Sequence, residues 1–211
     1  MIRITYAILT HNEGRCIQNL LQQIKKHKAM MDSIIVVDDY SDDSVTKAIL
    51  KEWEYNGDIS LYYRKLEGDF AAQKNFLLSK CPKDTDWVVN VDADELLSDE
   101  LIKNIRVVLE ENDSIEAYWV PRDNRVTGIT PEHIAKWGWD VDPIGRINYP
   151  DYQMRLFKYE PERIKWVNKV HEKLNGYKTY AALPVNSSFD IIHTKNIKKQ
   201  EQQNNFYSTL G

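Results

Sequence analysis

The sequence predicts an α/β protein built on a doubly wound, mostly parallel sheet. Runs rich in β-branched residues alternate with stretches of helical period, the pattern of strand–helix–strand units. The run Trp87-Val88-Val89 is apolar at consecutive positions, as in a strand covered on both faces. Three runs end in polar or acidic residues, Thr10-His11-Asn12-Glu13, Asp38-Asp39 and Asp92-Ala93-Asp94. Open sheets of this class place their ligands at the carboxyl ends of the strands.

Taken in order, Ile2 to Leu9 reads as a first strand, broken by Thr10 to Gly14. A helix from Arg15 to His27 follows, with Ile17, Leu20, Leu21 and Ile24 on one face. Ile34 to Val37 is a second strand, Ser44 to Trp53 a second helix, and Ile59 to Tyr63 a third strand after the Asn56-Gly57 turn. Phe70 to Leu78 is helical until Cys81-Pro82 stops it. The Trp87 strand then runs into its acids, and Ser98-Asp99-Glu100 caps a helix reaching about Glu110. After Ala117 to Val120 the rhythm changes. Pro121, Gly128, Pro131, Gly138, Pro143, Gly145 and Pro150 punctuate a region read as strands and loops laid over the sheet. Phe189 to Ile192 is strand-like, and the polar tail from Lys195 to Tyr207 reads as a helix. One domain is expected over 1–211, with a first half (1–115) and a loop-rich second half (116–211).

Composition narrows the class. With 42% hydrophobic and 28% charged residues among 211, the chain can bury one substantial core. A net charge of −4 gives no global attraction to nucleic acid. The two cysteines, Cys16 and Cys81, lack metal-like spacing and read as reduced packing residues. The chain enters a strand almost at once, without a signal-peptide pattern, and no apolar run approaches membrane-spanning length, so a cytoplasmic protein is expected. The 12 Tyr and 6 Trp exceed what an aliphatic core needs and suggest a surface that stacks on flat groups.

The acids at the end of the Trp87 strand carry the chemistry. Asp92, Asp94 and Glu95 repel one another unless a cation or water intervenes. Carboxylates with one spacer residue suit Mg²⁺ or Mn²⁺, above all when phosphates complete the shell. Neither a G-x-G-x-x-G nor a G-x-x-x-x-G-K loop occurs, so a nucleotide must rely on carboxylates and metal instead of a glycine cradle. That absence also counts against a nucleotidyltransferase. His193, ending a strand-like run, could complete a metal shell or be a satisfied structural histidine. Arg155, flanked by Met154, Leu156 and Phe157, must be paired, with a phosphate or with Asp151.

These motifs together resemble glycosyltransferase family 2 and its GT-A fold. Ile8 to Glu13 is similar to the family's opening strand and turn, and Val36 to Asp43 to its V-V-D-D-x-S-x-D segment. Asp92-Ala93-Asp94-Glu95 looks like the D-x-D metal site, and Gln73-Lys74-Asn75 fits the helix before it. Tyr149 to Phe157, Val170-His171-Glu172, His193 and Asn204-Asn205-Phe206-Tyr207 are similar to the lipopolysaccharide-core β-glucosyltransferase-like branch. The resemblance spans almost the whole chain. Because the chain stops soon after Tyr207, no further acceptor or membrane-docking segment is expected.

The resemblance implies a metal-dependent transferase that moves a sugar from a nucleoside-diphosphate sugar, a UDP-sugar being favoured. The acceptor would be a hydroxyl of a saccharide or glycoconjugate. A hydroxymethylated DNA base is the alternative acceptor, for which Lys195, Lys198 and Lys199 offer only a small basic face, read as a solvated helix face. A non-catalytic sugar-nucleotide-binding protein is the other alternative. Asp94 would be the direct metal ligand, with Asp92 on the ribose or the metal and Ala93 between them. Glu95 is either support for the ligands or an acid at the next helix's start. Asp39 would accept from the base, Asp38 would buttress the turn, and Thr10, Asn12 and Glu13 would line the nucleoside pocket. Lys74 and Asn75 would face the ribose or diphosphate, and Arg155 a phosphate. Without a nucleophile arrangement, inversion by direct displacement is expected, with Glu172 or Asp151 as base. Trp137, Trp139 and Tyr152 are candidate stacking platforms.

Overall fold

Four parallel strands carry the centre of the molecule: β1 (Ile4–Thr10), β2 (Ser33–Asp38), β3 (Ser60–Tyr63) and β4 (Trp87–Asp92). The computed structural model describes residues 1–185 and 188–208, with side chains as far as residue 205. Helices α1 (Arg15–His27), α2 (Ser44–Tyr55) and α3 (Phe70–Ser79) connect these strands. β5 (Glu95–Leu97) and α4 (Asp99–Glu111) follow, with Ser98 Oγ accepting from the Leu101 N–H as the helix cap.

The second half continues as β6 (Ala117–Val120), β7 (Arg122–Thr127), α5 (Pro131–Trp137), β8 (Gln153–Lys158), β9 (Lys165–Val167), β10 (Lys173–Asn175), β11 (Tyr180–Ala182), β12 (Ile191–Asn196) and α6 (Ile197–Ser208). Three of these strands do not lie over the sheet, as the sequence suggested, but extend it. The seven-stranded order is β11-β6-β8-β4-β1-β2-β3, with β8 antiparallel to both neighbours. A small sheet β5-β12-β7 and the hairpin β9–β10 complete the fold.

Alternating residues of each central strand feed two cores. Ile4, Tyr6, Ile8, Ile34, Val36, Val89 and Val91 pack with Leu20 and Ile24 of α1, Leu50 of α2 and Leu101 of α4. On the other face, Ala7, Ile35, Val37 and Val88 pack with Leu77 and Leu78 of α3, Phe157 of β8 and Trp166 of β9. Burial of each large aliphatic side chain contributes about 1.5–3 kcal/mol, so the frame is held from both sides. Because the chain winds outward from β1 in both directions, the crevice for a ligand opens at the carboxyl ends of β1, β2 and β4.

Three expected boundaries shift. Glu95 does not cap the next helix: it lies on β5, and its side chain is buried. The tail is not helical from Lys195, since Lys195 and Asn196 finish β12 and α6 begins at Ile197. A helix, α5, occurs where only strands and loops were read; it has no buried residue and hence no apolar stripe to reveal it. Among the described residues, no helix is long and apolar enough to cross a membrane.

Candidate functional site

The ends of β1, β2 and β4 meet at a cleft of about 150 Å³. Its wall includes Thr10, Glu13, Asp39, Asp92, Ala93 and Asp94, together with His11, Leu66, Phe70 and Gln73. The turns after β1 and β2 are laced together. Asn12 adopts a left-handed φ of 55° and accepts at Oδ1 from the Asp42 and Asp43 N–H groups (2.9 and 3.1 Å). It also donates to Asp42 Oδ1 (2.7 Å), so Asn12 ties the two loops together. Buried Asp38 accepts from the Ser41 N–H and hydroxyl, a local turn of the kind aspartate forms with its own backbone. Asp39 accepts from the Leu66 N–H (2.9 Å), and its carbonyl lies 2.9 Å from His11 Nδ1. Thr10 lines the cleft, and its hydroxyl is buried with no hydrogen-bond partner among the described residues.

Behind the acids, β8 delivers Arg155. Its Nη2 donates to Asp92 Oδ2 (2.6 Å) and to Glu95 Oε1 (2.7 Å), and the side chain is 3% exposed. Asp151, one of the two partners expected for Arg155, is not engaged by it. Asp151 instead takes Arg122 Nε (2.8 Å) on one oxygen and Gln153 Nε2 (3.0 Å) on the other. Arg122 also approaches Glu95 (3.3 Å), so the charges alternate along Asp92, Arg155, Glu95, Arg122 and Asp151. Burial alone would raise the Asp92 pKa, but Arg155 and then Lys74 outweigh it and lower it.

Lys74 is not a solvated helix lysine. It is 5% exposed, 4.2 Å from the centre of the Trp166 ring, and paired with Glu172 Oε1 at 2.6 Å. Glu172 thus binds Lys74. Asn75, expected to face the ribose or diphosphate, spends its amide on the Trp166 backbone (2.8 and 2.9 Å), pinning β9 to α3.

At the mouth, Asp94 Oδ2 faces His193 Nε2 (3.2 Å) and Lys199 Nζ (3.0 Å). His193 Nδ1 lies 3.0 Å from Asn124 Oδ1, which sets the ring plane. Lys199 also donates to Glu13 Oε2 (2.6 Å). Burial would raise the Asp94 pKa, yet the hydrogen bond from His193 and the charge of Lys199 hold it well below the usual carboxylate range. Glu13 shifts the other way, raised by burial and then by Asp94, with Lys199 opposing. Lys195 donates to Gln203, and burial first, then Arg122 and Lys199, bring its pKa down to about 8. Of the three lysines read as a solvated face, Lys195 and Lys199 are partly buried and engaged, whereas Lys198 is exposed.

In kind, these groups suit a hard divalent ion: an aspartate and an imidazole converge, with a second aspartate on the same strand end. In arrangement, the ammonium of Lys199 holds the position beside Asp94, and no set of three His, Cys, Asp or Glu side chains among the described residues is disposed to hold a metal. Sequence reasoning missed Lys199, Arg122 and His11 as members of the site. Only their positions in the fold reveal them.

The candidate platforms differ in placement. Half-buried Trp137 and Trp139 lie 4.7 Å apart, with His133 stacked on Trp137 at 5.2 Å. Tyr152 donates to the Leu183 carbonyl (3.1 Å). The side chains of Phe206 and Tyr207 lie outside the described residues.

Comparison with known proteins gives the architecture a family. Uncharacterized glycosyltransferases of Rickettsia felis and Rickettsia typhi are 33% and 34% identical over 116 residues, half of this chain. The chain spans about a third of the length of these curated relatives. S. aureus TarS 1–349 in complex with UDP-GlcNAc superposes with a TM-score of 0.61 at 16% identity, over 92% of this chain and 59% of that one. The same TarS fragment without that ligand gives 0.59, and the shared fold is GT-A. The model of Glycosyl transferase family 2 matches residues 5–180, and the chain belongs to that family.

Proposed function

We propose that the chain is a metal-dependent, inverting glycosyltransferase that moves a sugar from a nucleoside-diphosphate sugar to a hydroxyl of a saccharide or glycoconjugate. The observation that carries this reading is the convergence of Asp39, Asp92 and Asp94, with Thr10 and Glu13, on one cleft at the strand ends. The UDP-GlcNAc bound to TarS, on the same fold, favours a UDP-sugar as donor. Asp39 would accept from the base and Thr10 would take up a donor oxygen. Asp92, held by Arg155, would meet the ribose.

Asp94, His193 and Asp92 are not by themselves disposed around an ion, and would hold Mn²⁺ or Mg²⁺ only with the diphosphate completing the shell; the ion would supply positive charge to the departing diphosphate. Direct displacement breaks the bond between the anomeric carbon and the diphosphate oxygen and forms one to the acceptor oxygen. The acceptor proton passes to a carboxylate on the opposite face. Asp151 has both oxygens engaged, by Arg122 and Gln153, whereas Glu172 gives Oε1 to Lys74. We assign the base to Glu172. Glu172→Gln should keep donor affinity by calorimetry and lose transfer by at least about 100-fold; a normal rate would move the role to Asp151 or elsewhere.

The ion pairs on Glu172 and Asp94 favour, as second reading, a binding protein that has kept the fold. Donor binding without hydrolysis or transfer across a broad acceptor panel would select it. A DNA acceptor is less favoured, since Lys195 is engaged by Gln203 and Lys199 by Glu13 and Asp94, which leaves little basic face.

A further inference from the structure

Resting on that reading of the donor site, we propose that Lys199 is a diphosphate-binding residue that holds the cation position at Asp94 until donor and metal arrive. Its ammonium sits 3.0 Å from the same Asp94 oxygen that faces His193, and 2.6 Å from Glu13. A positive charge on the Asp94 oxygen that also faces the imidazole is what a divalent ion would supply there.

The other cations around the strand ends are placed differently. Arg155 and Lys74 are almost wholly buried against carboxylates, and Arg122 bridges Asp151 and Glu95. Lys199 has a side chain 37% exposed and stands at the mouth. Its backbone is anchored, because the preceding Ile197 packs on Gly128 and α6 follows β12 without a loop. Its four-carbon stem can still swing.

Formal charge favours the exchange. Asp94 and Glu13 carry −2 against +1 from Lys199. A divalent ion on Asp94 turns the group positive, and the diphosphate entering with it becomes the nearest anion in need of a partner. Lysine meets phosphate as a point charge, so no fixed fork geometry is required.

Calorimetric titrations of Lys199→Met, with Lys198→Ala as control, test this. Lys199→Met should bind Mn²⁺ alone several-fold more tightly, because Asp94 is freed. It should bind UDP in saturating Mn²⁺ roughly tenfold more weakly, having lost one charge-assisted contact. Lys199→Arg should restore most of the UDP affinity. Lys198→Ala should match the unmodified chain in both titrations. Unchanged UDP affinity in Lys199→Met would overturn the diphosphate role, and unchanged Mn²⁺ affinity would overturn the place-holding role. Asp94→Ala run in parallel keeps the two ideas apart. If it loses metal and UDP binding while Lys199→Met behaves like the unmodified chain, only this inference falls. If Asp94→Ala itself binds both normally, the donor-site reading falls with it.

Discussion

Arg155 shows most clearly how single residues carry this site. Its guanidinium is buried between the half-exposed Asp92 and the buried Glu95, and without it Glu95 would keep only the longer ion pair to Arg122. Breaking such a pair from one side typically costs about 3–5 kcal/mol. Arg155→Met should lower unfolding free energy by about that amount in urea titrations. Adding Glu95→Gln should restore part of it, since one stranded charge is removed. A loss under about 1 kcal/mol would mean that water already reaches this network. The acids themselves were legible in the sequence, because Asp-X-Asp at a strand end is a local pattern. Their partners were not. Arg155 is 60 residues from Glu95, and Lys199 is 105 from Asp94, so only the assembled sheet brings them together. Asn75 misled for the same reason: its contact with Trp166 spans 91 residues.

Among the elements, those with a buried face were the most readable, and of those without one the polar helix α6 was read but α5 was not. β1, β2 and β4 and helices α1, α2 and α4 have apolar runs or stripes that local chemistry must bury. β5, β9, β10 and β11 are three residues each, too short to show a period, and they gain their strand geometry from pairing. The edge strand β11 shows what holds such an element. Just before β6, Glu116 takes Arg163 on both oxygens (2.8 and 2.9 Å) and also the Lys178 N–H (2.6 Å), which fixes the approach to β11. The Arg163 hydrogen bonds, opposed by slight burial and helped by the Lys178 N–H, lower the Glu116 pKa to about 2. Its folded pKa lies below the unfolded one, so the unfolded chain binds more protons between about pH 4.5 and 2, and stability rises with pH there. Discounted for solvent screening, the contribution is about 1–2 kcal/mol, present above pH 4.5 and lost as pH falls toward 2. Urea titrations of Glu116→Gln should give a flatter stability profile across that window and a lower value at neutral pH. A profile parallel to that of the unmodified chain would remove Glu116 from the account.

At the scale of the whole molecule, the two halves of the chain are joined along β4–β8 and β5–β12, and they meet again beside the cleft. Asp94 and Glu13 come from the first half, while His193 and Lys199 come from its last strand and helix. A doubly wound sheet was legible from alternation alone, but this closure was not, because β12 and α6 reach the cleft through a small second sheet. A ligand seated there must therefore stabilise both halves at once. A compound that binds only the native state adds RT ln(1 + [L]/Kd), about 2.7 kcal/mol at a hundredfold excess over Kd. For a chain of this size, that corresponds to a rise in Tm of roughly 5–10 °C. UDP with Mn²⁺ should produce such a shift, either one alone a smaller one, and Asp94→Ala no more than UDP alone gives. A shift equal for UDP with and without metal would separate nucleotide binding from the Asp94–His193 pair and place recognition on Asp39 and Thr10 alone. Stabilisation confined to the donor half, read as two separate unfolding transitions, would mean that the C-terminal strand and helix do not share the site with it.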